Sequence, residues 1–288
     1  MNVWQRLRHR PTAMAGLMAA ALIVTAALLA PLLPLHDPLA MPDPVGLRAA
    51  APSAAHWLGT DIFSRDLLSR LLFGARVSLT VGIGAALLAA LLGSAVGFAA
   101  GLGRPAVDAV LMRGVDVLLA LPRVFLLLAI FALWEGVSLG IVILLIAGTG
   151  WFGTSRLVRA QVRQLRDSDW ARATRALGGG RARLARHLLP HVAATIIVSV
   201  TLDIGNVILL EAGLSFLGLG MRPPTPTWGN MILEGRTLLF SAPWVAVAPG
   251  IALTMTVIAF NLLGDGLRDA LDPKTARRQD GKTAGAVA

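Results

Sequence analysis

Four stretches of this sequence carry no charged residue and are each long enough to cross a lipid bilayer: Thr12 to Leu35, Val77 to Gly103, Gly136 to Ser155 and Thr237 to Gly264. A spanning helix needs roughly 20 predominantly apolar residues, and in hydrocarbon a chain must satisfy its own backbone polar groups. Two weaker runs follow the same logic. One contains Asp116, Pro122 and Arg123, and the other contains Asp203. The pattern predicts an all-α integral membrane protein with six spans, at about 12–34, 77–102, 113–134, 137–155, 192–212 and 243–266. Composition agrees, at 56% hydrophobic and 15% charged, against about 45–50% and about 25% in soluble domains. The first run follows Arg6, Arg8 and Arg10, as a signal peptide would. Its apolar stretch, however, exceeds the roughly 7–15 residues of a signal h-region, and no A-x-A site follows, so a retained helix is expected.

The net charge of +10 invites a nucleic-acid or membrane-surface reading. The positions of the basic residues decide between them. With the N-terminus inside, the segments 1–11, 103–113, 156–191 and 267–288 hold 19 of the 26 Lys and Arg, and the outer segments 35–76 and 213–242 hold six. That bias predicts both termini in the cytoplasm and explains the charge as topology. No basic stripe interleaved with aromatics is present, so nucleic acid is not an expected partner and the lipid bilayer is. The absence of cysteine excludes disulfides and thiolate chemistry. Three segments are expected: 1–76, with the N-terminal tail, first span and outer loop; 77–267, a five-helix core; and 268–288, a polar, partly disordered cytoplasmic tail.

Gly93, Gly97 and Gly101 recur every fourth residue in the second span. They fall on one helix face, where small residues let two backbones approach, and ordinary helix packing is the favoured role. The inner segment 156–191 carries nine arginines and reads DWARATRALGGGRARLARHLLPH from Asp169. Asp167, Ser168 or Asp169 caps a short helix, Gly178-Gly179-Gly180 ends it, and Pro190 precedes the fifth span. The expectation is a helix–turn–helix at the membrane face. By itself such a loop equally suits anionic lipid headgroups.

Here the chain resembles the binding-protein-dependent ABC permeases, whose loop motif runs Glu-Ala-Ala, three residues, Gly, then a spacer ending near Leu-Pro. Arg172-Ala173-Thr174, Leu177-Gly178 and Leu189-Pro190 fall on it, with Arg172 in place of the Glu, Thr174 in place of the second Ala and a spacer one residue short. HWLGTDIFSRDLLSRLLFGARVSL (His56 to Leu79), LSFLGLGMRPPTPTWGNMILEGR (Leu214 to Arg236) and AFNLLGDGLRDALDPK (Ala259 to Lys274) are similar to the C-type permease subunits of di/oligopeptide and nickel importers. Ser64 stands where that group has Gly. The resemblance runs from about Pro11 to Lys274. It implies a type I ABC importer permease (MetI-like) architecture in the bacterial cytoplasmic (inner) membrane. It also implies a heterodimer with a second homologous permease, two ATPase subunits gripping the loop around Arg172 to Gly178, and an extracytoplasmic substrate-binding protein. Short peptides are the expected cargo; nickel or another small solute is the alternative.

Polar residues inside spans are costly and often functional. Asp203 and Asn206 share a face and are candidates for the translocation path, or for hydrogen bonding between helices. Asp116 and Arg123, seven apart, are expected on one face of the third span with partners on neighbouring helices, and Glu135 at the outer interface. The Pro223-Pro224-Thr225-Pro226 run cannot continue a helix. With Trp228 at headgroup level, it forms a candidate loop facing the binding protein. His187 and His191 have a helical metal-ligand spacing but lack a third ligand, so no metal site is expected. The Gly178-Gly179-Gly180 run is followed by Arg-Ala-Arg rather than the GK[ST] of a phosphate loop. Neither GxSxG nor HExxH occurs. The chain is therefore expected to bind no cofactor and to be no enzyme, with ATP and Mg²⁺ on its ATPase partners. A stand-alone secondary transporter should show an internal repeat, and none is evident. A membrane-embedded hydrolase lacks a nucleophile–base set, and a purely structural anchor would not need the loop helix.

Overall fold

The computed structural model describes residues 3–133 and 137–271, and all regular structure among them is helical. Glu135 and the tail beyond Leu271 lie outside the described residues. A short helix α1 (Val3–Arg8) precedes the first span, α2 (Pro11–Leu29), which Pro11 opens and a 3₁₀ turn (Ala30–Leu32) closes. A loop, 33–66, then leads to α3 (Leu67–Leu102), a 36-residue helix. At 1.5 Å per residue it is about 54 Å long, against roughly 30 Å of hydrocarbon. It therefore begins ten residues before the expected boundary at Val77, and that boundary falls within the helix.

The third and fourth spans are both broken. The third consists of α4 (Pro105–Ala120) and α5 (Arg123–Leu133), which meet at 77°. Leu121 before Pro122 adopts an extended conformation (φ −85°, ψ 127°), because the proline ring disfavours a helical residue ahead of it. Asp116 and Arg123 are thus on different helices, not on one face. The fourth span consists of α6 (Leu139–Gly148) and α7 (Trp151–Arg166), bent by 46° across Thr149 and Gly150. The Thr149 hydroxyl bonds back to the Leu145 and Ile146 carbonyls, at 3.1 and 3.2 Å, an alternative to the helical ladder.

A helix of about two turns, α8 (Asp169–Ala176), leads to α9 (Arg181–Phe216), a second 36-residue helix. Pro190 lies inside α9 rather than ahead of it, so the loop helix and the fifth span are one rod. The short α10 (Trp228–Gly235) lies between α9 and the last span, α11 (Trp244–Leu271). Among the described residues, four helices are individually long and apolar enough to cross a membrane, and the two bent pairs bring the number to six when each pair is one span.

The helix α3 is the centre of the bundle and packs on α7, α9, α6, α2 and α4. Its glycine face is the tightest seam. A Cβ on Gly93 would sit 2.7 Å from the Trp151 carbonyl, and one on Gly97 would sit 2.7 Å from that of Ser155. One on Gly101 would meet Val162 at 2.6 Å. These residues let α3 lie backbone-on-backbone against α7, as the four-residue spacing predicts.

Candidate functional site

The inner segment is built as a braced turn. Ala171 is fully buried on α8 and packs with Val158 and Val162 of α7 and with Leu184, Leu188 and Val192 of α9. Arg175 reaches back to the Arg166 carbonyl at 2.6 Å and so caps the end of α7. Gly178 has φ +80°, the Gly179 N–H bonds to the Thr174 carbonyl at 2.9 Å, and the Gly178 N–H bonds to that of Arg175 at 2.9 Å. This is the left-handed helix stop that glycine supplies without a Cβ penalty. The apolar underside is thus fixed, while the other side faces out. Arg172, Ala173, Gly178, Leu189 and Pro190 are exposed, Thr174 is half-buried, and Leu177 is 84% exposed. Of the nine arginines, Arg156, Arg159, Arg163 and Arg166 belong to α7 and not to a free loop. Arg159 and Arg163 engage Asp108 of α4, with Arg159 Nη2 at 2.6 Å and Arg163 Nη1 at 3.4 Å, and Arg156 pairs with Asp116.

The two broken spans meet at Arg123. Its guanidinium donates to the Ile146 carbonyl at 2.8 Å and to the Thr149 hydroxyl at 3.2 Å. One arginine therefore sits at the break of the third span and satisfies carbonyl and hydroxyl groups freed at the break of the fourth. A Cβ on Gly150 would lie 2.8 Å from the same guanidinium, so glycine leaves the approach open. Asp203 of α9 is within the electrostatic reach of Arg123 and accepts from Ser199 at 3.5 Å. Asn206 is exposed and, with Val124 and Leu209, lines a groove of about 330 Å³ whose walls are otherwise apolar. Asp203 does not line that groove. A further acid, Glu211, is fully buried and accepts from the hydroxyls of Ser215 (2.7 Å) and Ser78 (3.3 Å). This polar knot between α3 and α9 is invisible in sequence because Ser78 is 133 residues away.

The segment that leads into α3 carries a dense network of ion pairs and hydrogen bonds. Asp61 accepts from the Phe63 and Arg65 N–H groups at 2.7 and 3.0 Å, from Arg65 Nε at 2.7 Å, and from Arg70. Glu234 of α10 accepts from Arg65 at 2.9 Å and from Arg70 at 2.5 Å. Asp66 caps α3 by accepting from the Ser69 N–H at 2.8 Å. Burial pushes its carboxyl up, but the bonds from Ser69 and His56 outweigh this and hold it below the ordinary value. Pro223 and Pro224 are exposed, as a docking loop requires. Trp228 is not: it is 1% exposed, and its Nε1–H donates to the Leu71 carbonyl at 3.1 Å. The indole anchors α10 to α3, which corrects the expectation of a tryptophan facing the binding protein.

Broken and long helices around a half-buried arginine and a groove, with a braced turn at one end, are the features of a multi-span membrane protein with a path between its helices. The chain belongs to the binding-protein-dependent transport permease family: residues 93–277 match the family described as the binding-protein-dependent transport system inner membrane component. Residues 1–52 match the N-terminal TM domain of oligopeptide transport permease C. The dipeptide transport system permease protein DppC of Bacillus subtilis is 38% identical over 278 residues, covering 96% of this chain and 86% of that protein. DppC of Alkalihalophilus pseudofirmus is 40% identical over 275 residues, covering 95% and 89%. A putative peptide transport system permease protein of Brucella suis is 40% identical over 271 residues, covering 94% and 90%.

Proposed function

We propose that this chain forms half of the transmembrane pathway of an ATP-driven importer of di- and oligopeptides, alongside a second, homologous permease. Its termini lie in the cytoplasm, and the bilayer is the bacterial inner membrane. Two ATPase subunits bear the ATP and Mg²⁺, and this chain binds no cofactor. One ATPase docks on Arg172, Ala173, Thr174, Leu177 and Gly178, flanked by Leu189 and Pro190. A substrate-binding protein docks on the opposite side, near Pro223 and Pro224. The observation that carries the reading is the braced turn, buried through Ala171 yet presenting Leu177 to solvent. A large exposed apolar side chain on a rigid mount is suited to a partner's cleft.

Movement imposed on α8 passes to α7 through Arg175 and to α9 through the shared apolar cluster. The helix α9 carries it to Asp203 and Asn206, the pathway candidates. Arg123 bridges both breaks and is the natural pivot between an inward-open and an outward-open arrangement. The peptide assignment rests on the dipeptide and peptide permeases that the chain resembles over most of its length.

The test is co-purification of the tagged chain with the products of its neighbouring genes, followed by ATPase assays with a peptide-loaded binding protein. The expected result is co-elution of a second permease and ATPases, with peptide-stimulated hydrolysis that Gly178→Pro abolishes. Stimulation by a nickel-loaded binding protein, and not by peptide, would replace the cargo. A chain that elutes alone and moves solute in liposomes without ATP would replace the mechanism.

A further inference from the structure

We propose that His36, His56 and Asp66 form a binding site for one late first-row divalent cation of the zinc class, on the outer loop between α2 and α3. His36 follows the end of α2, His56 lies in the loop, and Asp66 is the cap of α3. One ligand-capable atom from each lies within 4.8 Å of the other two.

The chemistry of the set suits a borderline divalent ion. Two imidazoles and one carboxylate leave a fourth position for water. His56 Nδ1 and Asp66 Oδ1 are 2.9 Å apart. Atoms at that distance subtend about 90° at an ion bonded at about 2.05 Å to each. An ion there takes the place of the His56–Asp66 hydrogen bond, with the imidazole proton of His56 carried on Nε2.

The outer partners of the ligands are in place. Asp66 uses Oδ2 for Ser69, taking the N–H at 2.8 Å and the hydroxyl at 2.7 Å, which frees Oδ1 for a ligand. His36 Nε2 faces the Ala55 carbonyl at 3.0 Å. The Nε2–H donates to that carbonyl, so Nδ1 carries the lone pair, the tautomer arrangement that metal-bound histidines use. The rings of His36 and His56 are 4.9 Å apart at their centroids, tilted by 39°. The burial gradient fits an access route: Asp66 is buried, His56 half-buried and His36 exposed.

A bound ion would staple the exit of α2 to the start of α3, since His36 follows α2 and Asp66 caps α3. That role is independent of what the permease carries.

The test uses the full chain, purified through a tag without histidine in whatever complex co-elutes. Zn²⁺ is titrated, with Mg²⁺ as the contrast, and bound metal is counted after dialysis. One Zn²⁺ per chain is expected. His36→Ala should weaken binding by at least the roughly 100-fold at the upper end of what outer partners of metal ligands cost. Because His36 is exposed, that variant should melt like wild type without metal, and only wild type should gain a higher melting temperature with Zn²⁺. His187→Ala/His191→Ala should bind as wild type does. No retained Zn²⁺ in wild type overturns the site, as does equal binding by His36→Ala. Zn²⁺ lost only from His187→Ala/His191→Ala would place it on the cytoplasmic pair and overturn it too.

Discussion

The segment that leads into α3 and the segment between α7 and α9 both concentrate charge, and they treat it in opposite ways. In the first, Asp61, Arg65 and Arg70 are each no more than 2% exposed, and Glu234 is 11% exposed. Two guanidiniums meet two carboxylates, so the charges cancel inside the protein. In the second, Arg172, Arg175, Arg181, Arg183 and Arg186 are all exposed, and no ion pair holds any of them among the described residues. Matched buried charges fix a shape, whereas unmatched exposed charges of one sign leave a surface for something else to answer. The first segment is built as scaffold, and the second presents a charged surface suited to the proposed partner.

The comparison breaks most readily at Arg70. Removing it leaves Arg65 as the single buried guanidinium facing both Asp61 and Glu234, and breaking a buried pair by taking one partner costs about 3–5 kcal/mol. Arg70→Ala should lower the apparent melting temperature in detergent by on the order of 10 °C. Arg172→Ala, in the other region, should shift it by no more than a degree or two. Equal losses would show that the two regions are not different in kind.

A smaller effect tests how the regions are joined. The helix α3 starts in the outer network and ends against α7 along Gly93, Gly97 and Gly101. Gly97→Val places a branched side chain where Cβ alone would lie 2.7 Å from the Ser155 carbonyl. Overpacking of this kind costs about 1–3 kcal/mol. Hydrogen exchange should rise along α7 and α8 while the amides of Phe63, Arg65 and Ser69 stay protected. Exchange rising equally in the outer segment would mean that the scaffold depends on the seam.

Ser64 allows the opposite change, a gain. Its φ is +63°, in the left-handed region, and its buried hydroxyl has no hydrogen-bond partner. The related importer permeases that the sequence resembles carry Gly at this point, which suits that backbone without strain. Ser64→Gly should raise stability by about 1 kcal/mol, read as a melting temperature a few degrees higher. A lower melting temperature would show that the hydroxyl contributes to the outer network.

Much of this was legible in the sequence because it is local. Uncharged runs mark the first, second and sixth spans, the glycine spacing marks the α3–α7 seam, and Gly178 marks the end of α8. The two breaks were not legible as bends, since the runs stay apolar through Leu121 and Thr149 and hydrophobicity carries no direction. Pro190 and Pro122 look alike in sequence. Yet α9 continues through the first, and the chain turns by 77° at the second. The roles of Arg123, Glu211 and Trp228 depend on partners far along the chain: Ile146 and Thr149, Ser78, and Leu71. The aromatic-belt rule placed Trp228 at an interface, and a carbonyl 157 residues away placed it inside.

The smallest expected change in stability is also the sharpest test of the contrast. Leu177 is 84% exposed, follows α8 and precedes the left-handed Gly178. Ala171 of α8, and not Leu177, packs into the apolar cluster. Leu177→Asp should therefore leave the melting temperature of the isolated chain within the roughly 0.5 kcal/mol of an ordinary surface substitution. The same change puts a carboxylate where an apolar side chain should enter the ATPase, and burying an unpaired charge costs far more than its surface placement does. Co-purification of the ATPase should fall at least tenfold, and peptide-stimulated hydrolysis should fall with it. Ala171→Asp serves as the contrast, because it should unfold the turn itself and lower the melting temperature. If Leu177→Asp destabilised the chain as Ala171→Asp does, the leucine would belong to the fold. If it altered neither stability nor association, the exposed face of α8 would not be the contact.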